Sequence, residues 1–214
     1  MIAPAIVGVA RLISGSQSRW VGCEPSTSQR IYFANHTSHL DFVVLWAALP
    51  REVRALTRPI AGRDYWDRTR LRRYLAANVF RAVLVDRGGA PAGPDGAADR
   101  EAKVAAARRT VELTLEGLGT RHSLIIFPEG TRGSGVEVAP FKSGLYYLCL
   151  QRPDVELVPT WLDNLNRILP KGEVLPVPLM GSVTFGPPMR LEPGEPKDDF
   201  LARVRSALLR LGHG

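Results

Sequence analysis

Cysteine, carboxylate and long apolar runs are what this sequence is short of, and each shortage removes a class of protein. Only two cysteines occur, Cys23 and Cys149. They lack the spaced partners of a disulfide framework or a zinc site, so a reducing cytoplasm is the default compartment. No apolar stretch reaches the ~20 residues that a membrane-crossing helix needs. Met1 to Ile13 comes nearest, apolar apart from Arg11 and halted at Ser14-Gly15-Ser16. It has neither the basic start nor the small-residue cleavage site of a signal peptide. An interfacial anchor, a helix packed on the domain and a frayed end are its three readings. An apolar patch beside a basic surface is the two-signal arrangement that holds proteins at anionic lipid, so residues 1–20 are expected to form an interfacial anchor.

Acidic residues number 21 against 28 lysines and arginines, a formal net charge of +7. Such an excess implies anionic partners, whether lipid headgroups, substrate phosphates or nucleic acid. No helix-turn-helix, zinc finger or aromatic RNA-binding block accompanies it, so no nucleic-acid partner is expected. Also missing are a Gly-x-Ser-x-Gly nucleophile elbow and any internal repeat.

What is present fits one substantial domain over residues 21–214, since 45% of the 214 residues are hydrophobic and 23% charged, ordinary values for a globular chain. Apolar runs at Arg30–Ala34, Val53–Leu56, Val83–Val85, Ser123–Phe127, Val155–Trp161 and Ser182–Phe185 read as strands, with Pro59 closing the second. Helical patterns fall between them at Phe42–Leu49, Arg63–Asn78, Arg100–Leu118 and Ser143–Gln151, and a last one follows Pro196. Gly117 and Gly119 mark the end of the third. Gly88–Ala98 holds no large apolar residue and reads as a surface loop. Strands alternating with helices predict an α/β fold with a mainly parallel central sheet flanked by helices. In Arg63–Asn78, arginines interleave with Tyr65, Trp66 and Tyr74. That suits either a membrane surface or a charged face over buried aromatics.

Two stretches carry chemistry. Asn35-His36-Thr37-Ser38-His39-Leu40-Asp41 joins a strand to a helix, the place where α/β folds put ligands. His36 and Asp41 are five residues apart, too far for one helical face, so a turn must join them. If it does, Asp41 fixes the tautomer of His36 and leaves the other ring nitrogen as a general base. The nucleophile is then a substrate hydroxyl. Two alternatives stand beside this: His36 and Asp41 as structural residues, Asp41 capping the helix, or His36, His39 and Asp41 as metal ligands. No further His or Cys cluster completes such a site, because His122 and His213 are isolated. The second stretch, Phe127-Pro128-Glu129-Gly130-Thr131-Arg132, breaks a strand into a turn whose amides face an anion. Arg132 supplies a fork suited to phosphate. Glu129 cannot bind phosphate and is suited to holding an amide, a hydroxyl or Arg132 in place.

These two stretches, in this order and separation, resemble the paired signature of the glycerolipid acyltransferases, the lysophosphatidic acid acyltransferase family. Val83-Leu84-Val85-Asp86-Arg87 is similar to the family's second motif, Leu157-Val158-Pro159 to its fourth, and Phe141-Lys142-Ser143-Gly144 to a block that follows the third. The resemblance spans roughly residues 30 to 190. It departs in two places: the second motif often begins with glycine where this chain has Arg81, and the N-terminus is short for the membrane-dipping helices of some relatives.

The resemblance implies a glycerol-3-phosphate acyltransferase-like fold and a role for each site residue. His36 deprotonates the hydroxyl of a lysophospholipid acceptor, lysophosphatidate foremost, and Asp41 orients His36. The alkoxide attacks the thioester of acyl-CoA or acyl-carrier-protein, a co-substrate rather than a cofactor, and no metal is required. Arg87, Glu129, Gly130, Thr131 and Arg132 hold the glycerol phosphate, Lys142 adds charge, and amides around Gly130 are the nominees for the oxyanion. The expected setting is the cytoplasmic face of an anionic membrane, bound peripherally. The rivals are a metal-dependent hydrolase using His36, His39 and Asp41, and a non-catalytic basic lipid-binding module.

Overall fold

A computed structural model describes residues 4, 6–8, 17–38, 41–86, 96–133, 137–163 and 181–212. Seven strands, β1 (Gln17–Trp20), β2 (Arg30–Ala34), β3 (Thr57–Gly62), β4 (Val83–Val85), β5 (Ser123–Ile126), β6 (Glu156–Asp163) and β7 (Ser182–Phe185), form one sheet. Their order is β1-β7-β6-β2-β5-β3-β4. Every pairing is parallel except β6 with β7. The helices are α1 (Asp41–Ala48), α2 (Arg51–Leu56), α3 (Arg63–Trp66), α4 (Arg70–Tyr74), α5 (Gly96–Leu118), α6 (Gly144–Gln151) and α7 (Lys197–Gly212). This is the helix-flanked, mainly parallel α/β architecture that the alternation of patterns predicts.

The central strand explains the layering. All five residues of β2 are buried, as expected of a parallel strand covered on both faces. Tyr32 and Ala34 face a cluster with Leu45, Trp46, Trp66 and Phe80; Ile31 and Phe33 face another with Leu118, Leu145, Phe200 and Leu208. The side chain of residue i and that of i+2 share a sheet face, so β2 serves both cores. On α7, Phe200, Val204 and Leu208 recur at four-residue steps and are fully buried, the stripe of an amphipathic helix laid on the sheet.

Four local expectations are corrected. Val53–Leu56 is not a strand: Arg51–Leu56 buries only Val53 and forms α2, with Pro50 at its N-cap and the Thr57 hydroxyl donating to Val53 O at 2.8 Å. The strand is Thr57–Gly62, with Pro59 inside it. Proline fits there because β3 pairs β5 over Thr57–Pro59 and β4 only from Ile60 onward; at Pro59 one side has no ladder to interrupt. The helix expected over Arg63–Asn78 is broken at Asp67–Thr69. It restarts where Thr69 Oγ1 accepts the Arg72 amide, a side-chain cap, and runs into a π-helical turn at Leu75–Phe80. The loop expected at 88–98 gives way to α5 at Gly96.

Gly119, with φ 49°, ends α5 in the left-handed conformation that glycine adopts freely. Gly117 instead lies within α5, where a Cβ would collide with Val83 of β4. The anchor expected over residues 1–20 does not reach Trp20, since Gln17–Trp20 pairs with β7. Val7 is buried in the core cluster and Ile6 packs against it, so this turn rests on the domain; the remainder of residues 1–16 lies outside the described residues. No helix of the described residues is long and apolar enough to cross a membrane.

Candidate active site

At the carboxyl end of β2 the Asn35 side chain clamps the neighbouring strand. Its Nδ2 donates to Leu162 O at 2.9 Å, and Leu162 N donates to its Oδ1 at 2.8 Å. The chain then turns sharply into α1. That turn brings Asp41 Oδ2 to 2.8 Å from His36 Nδ1, which is the contact the five-residue spacing requires. The same oxygen accepts the amides of Thr37 at 2.6 Å and Ser38 at 2.8 Å, so the carboxylate shapes the loop as well as holding the ring. A carboxylate on Nδ1 places the proton there and leaves the Nε2 lone pair free. Asp41 is wholly buried, while the His36 side chain keeps 12% of its surface exposed. The Phe127 ring stacks on the imidazole with centroids 4.2 Å apart and planes 21° apart, fixing its tilt.

The second stretch holds the first. β2 and β5 pair in parallel with Phe33 opposite Ile126, so the loops beyond them emerge side by side. Glu129 Oε1 accepts the His36 amide at 2.8 Å and Oε2 the Ala139 amide at 2.9 Å. Gly133 N donates to His36 O at 2.8 Å. The main chain of His36 is thus gripped at both its N–H and its C=O. Glu129 is 3% exposed, and both oxygens are occupied. Of the roles considered for it, holding an amide is the one observed, and the substrate contact implied by the resemblance has no open carboxylate edge.

Gly130 has φ 74°, and its amide donates to Phe127 O at 3.0 Å. That amide closes the turn, which leaves its neighbours among the amides expected around Gly130 for an oxyanion. A Cβ on Gly130 would stand 3.3 Å from Lys142 Cε, so the lysine stem lies across the glycine. Among the described residues, the amides of Thr131 and Arg132, the Arg132 guanidinium and the Lys142 ammonium have no partner. Arg132 is half-buried; Thr131 and Lys142 are exposed.

The second motif ends β4, whose parallel pairing with β3 puts Asp86 at the same sheet edge as His36. Arg87 lies outside the described residues, as does His39. A depression of about 460 Å³ beside Asp86 is lined by Arg63, Asp64, Asp67, Arg68 and Asp86. Arg63 meets Asp86 at 3.2 Å and Asp67 at 3.7 Å, so its charges largely satisfy one another and an anion gains little there. Among the described residues no three His, Cys, Asp or Glu side chains gather. Burial pushes the Cys149 thiol up to about 12 and, with smaller electrostatic contributions, raises that of Cys23. Both stay protonated at neutral pH and neither serves as a nucleophile.

The Asn35 clamp and the Phe127 stack are functional contacts that residue types did not disclose, and for Glu129 they left open which amide it holds. Their signal is the β2–β5–β6 register, which a sequence does not display.

The acyltransferase family model matches residues 22–163, a span containing His36, Asp41 and Glu129–Arg132. Among curated proteins, a 1-acyl-sn-glycerol-3-phosphate acyltransferase of Limnanthes douglasii is 29% identical over 215 residues, covering 96% of this chain and 66% of its own length. One of that name from Cocos nucifera is 30% identical over 174 residues, 74% of this chain and 50% of its own. The chain thus spans between half and two thirds of the length of these relatives. Among solved structures, the 1-acyl-sn-glycerophosphate (LPA) acyltransferase PlsC of Thermotoga maritima superposes with a TM-score of 0.70 at 18% identity, covering 99% of this chain and 79% of its own; at that identity the likeness speaks for the fold. With both signature segments inside the matched span, and that span most of its length, this chain belongs to the acyltransferase family.

Proposed function

We propose that the chain transfers a fatty acyl group from acyl-CoA or acyl-carrier-protein to the free hydroxyl of a lysophospholipid, converting lysophosphatidate to phosphatidate. The observation that carries this reading is the His36–Asp41 contact at 2.8 Å, which leaves Nε2 free beside a loop whose guanidinium is unpaired. His36 Nε2 takes the acceptor hydroxyl proton as the oxygen attacks the thioester carbonyl. The imidazolium stands against the Asp41 carboxylate. The tetrahedral intermediate collapses with loss of the thiolate, which receives that proton, so His36 ends the cycle as it began. Arg132, Thr131 and Lys142 receive the acceptor's phosphate, joined by Arg87 of the second motif. The amides of Thr131 and Arg132 are the donors for the oxyanion. The names of the relatives support the choice of acceptor.

Radiolabelled acyl transfer to a panel of lysophospholipids, with acyl-CoA or acyl-carrier-protein as donor, is the test. Product is expected with lysophosphatidate above other headgroups and in the presence of chelator. No product with either donor, or product that chelator abolishes, would replace this reading by a lipid-binding or a metal-dependent one.

The same reading places the enzyme on an anionic membrane at the cytoplasmic face. Leu71 and Tyr74 of α4 are 67% and 47% exposed beside exposed Arg70 and Arg73, an apolar-and-basic pair of signals. Wild type is expected to cosediment with anionic vesicles. Leu71→Glu combined with Tyr74→Glu should lower the bound fraction several-fold, and equal binding by both would remove α4 from the membrane contact.

A further inference from the structure

At the amino edge of the sheet, opposite His36, positive charge collects with no carboxylate of the described residues paired to it. Arg58 on β3 lies opposite Leu124, so His122 and Arg121 come just before its neighbour β5. On the other side Ile60 pairs with Val83, which puts Arg81, two residues earlier, at the level of Arg58. Arg58 Nη1 only grazes Gly117 O at 3.5 Å, and its Nε is buried with no hydrogen-bond partner. Several other arginines find carboxylates: Arg30 meets Glu156 at 2.9 Å, Arg152 meets Asp154 at 2.8 Å and Arg203 meets Glu195 at 2.6 Å. Among the described residues Arg58, Arg81 and Arg121 meet none.

The backbone adds an independent observation. Arg81 has φ 50° and is the one non-glycine residue at positive φ among those described. It occupies the place where the second motif often carries glycine, and the conformation shows why glycine suits it. A bulky side chain in left-handed backbone is an outlier that other interactions must hold in place. Here it brings a third guanidinium to a group already crowded with like charge. Burial, then the charges of Arg58, Arg121 and Arg81, hold the His122 imidazole below its ordinary range. The backbone of Arg81 is held by its own amide and that of Ala82, which both donate to Ala76 O, so what remains to be offset is the repulsion among the guanidiniums, and a bound anion offsets it.

We infer that Arg58, Arg81, Arg121 and His122 form a second anion site, separate from the active site, that takes a phosphate group. Forked guanidiniums match phosphate oxygens bidentately, and the exposure of Arg81 and Arg121 lets a ligand in from solvent. The phosphate comes either from a soluble phosphoanion or from a lipid headgroup.

His122 is the reporter, its ring signals assigned by their loss in His122→Gln. Inorganic phosphate, titrated at constant ionic strength against chloride, should move those signals with saturation. In Arg81→Gly, which suits the left-handed backbone, the apparent affinity should fall about tenfold or more, as loss of one charge-assisted fork predicts. In Arg132→Gln it should not change, which separates this site from the active one. Arg121→Gln, a surface change, should weaken binding likewise and guards against a misfolded Arg81→Gly. Dihexanoyl phosphatidate in a parallel titration identifies the source: tighter binding than inorganic phosphate means a headgroup, equal or weaker binding a soluble phosphoanion. Signals that neither probe moves, that chloride moves equally, or that respond alike in wild type and both Arg81→Gly and Arg121→Gln would overturn the assignment.

Discussion

His36→Ala is expected to lower kcat by about a hundred- to ten-thousandfold, the range for loss of a positioned general base, with KM for both substrates little changed. The effect falls on kcat because Nε2 accepts a proton only as the acceptor oxygen attacks. Binding groups on the Gly130–Arg132 loop remain in place. The fold should survive, because Asp41 Oδ2 keeps the amides of Thr37 and Ser38 and is not left as a bare buried charge. Steady-state acyl transfer together with a melting curve checks both halves. Retention of more than a tenth of wild-type kcat in a folded variant would remove His36 from the chemistry.

Glu129→Gln should damage stability and catalysis together. Each carboxylate oxygen accepts one backbone amide, from His36 at 2.8 Å and Ala139 at 2.9 Å, in a site only 3% exposed. A glutamine offers one oxygen and turns its NH2 toward the other donor. One buried amide is then unpaired against another donor, at a cost of about 1.5–3 kcal/mol for a hydrogen bond to a charged group. For a chain of this length that lowers Tm by about 5–10 °C. The His36 main chain loses one of its two anchors, so kcat should also fall. If Glu129 instead touched substrate, KM would rise with Tm unchanged, and that outcome would reverse its assignment as a positioning residue.

Legibility differed between elements for physical reasons. β2, β5, β7 and the stripe of α7 were readable because burial on a sheet face or a helix stripe is written as periodicity. Val53–Leu56 misled because a four-residue apolar pattern suits either a strand or one helical turn. Pro59 misled because its tolerance depends on which neighbouring strand is paired at that level. The break at Asp67–Thr69 rests on one threonine capping α4, a contact that competes with continued helix by a small margin. Gln17–Trp20 joined the sheet because β7 offered an open edge, which nothing in those four residues announces.

The sequence by itself determined the alternation of strands and helices, the basic charge and the two motif-bearing loops, and it made the pairing of His36 with Asp41 conditional on one turn. These rest on local pattern, or on residues close enough in the chain for one turn to join them. Only the tertiary structure decided that Glu129 holds the amides of His36 and Ala139, that the Gly130 amide closes its own turn, and that Arg58, Arg81 and Arg121 gather at one edge where no carboxylate of the described residues pairs with them. Each of those depends on the register of strands distant in sequence, and register is set by the packing of both sheet faces at once.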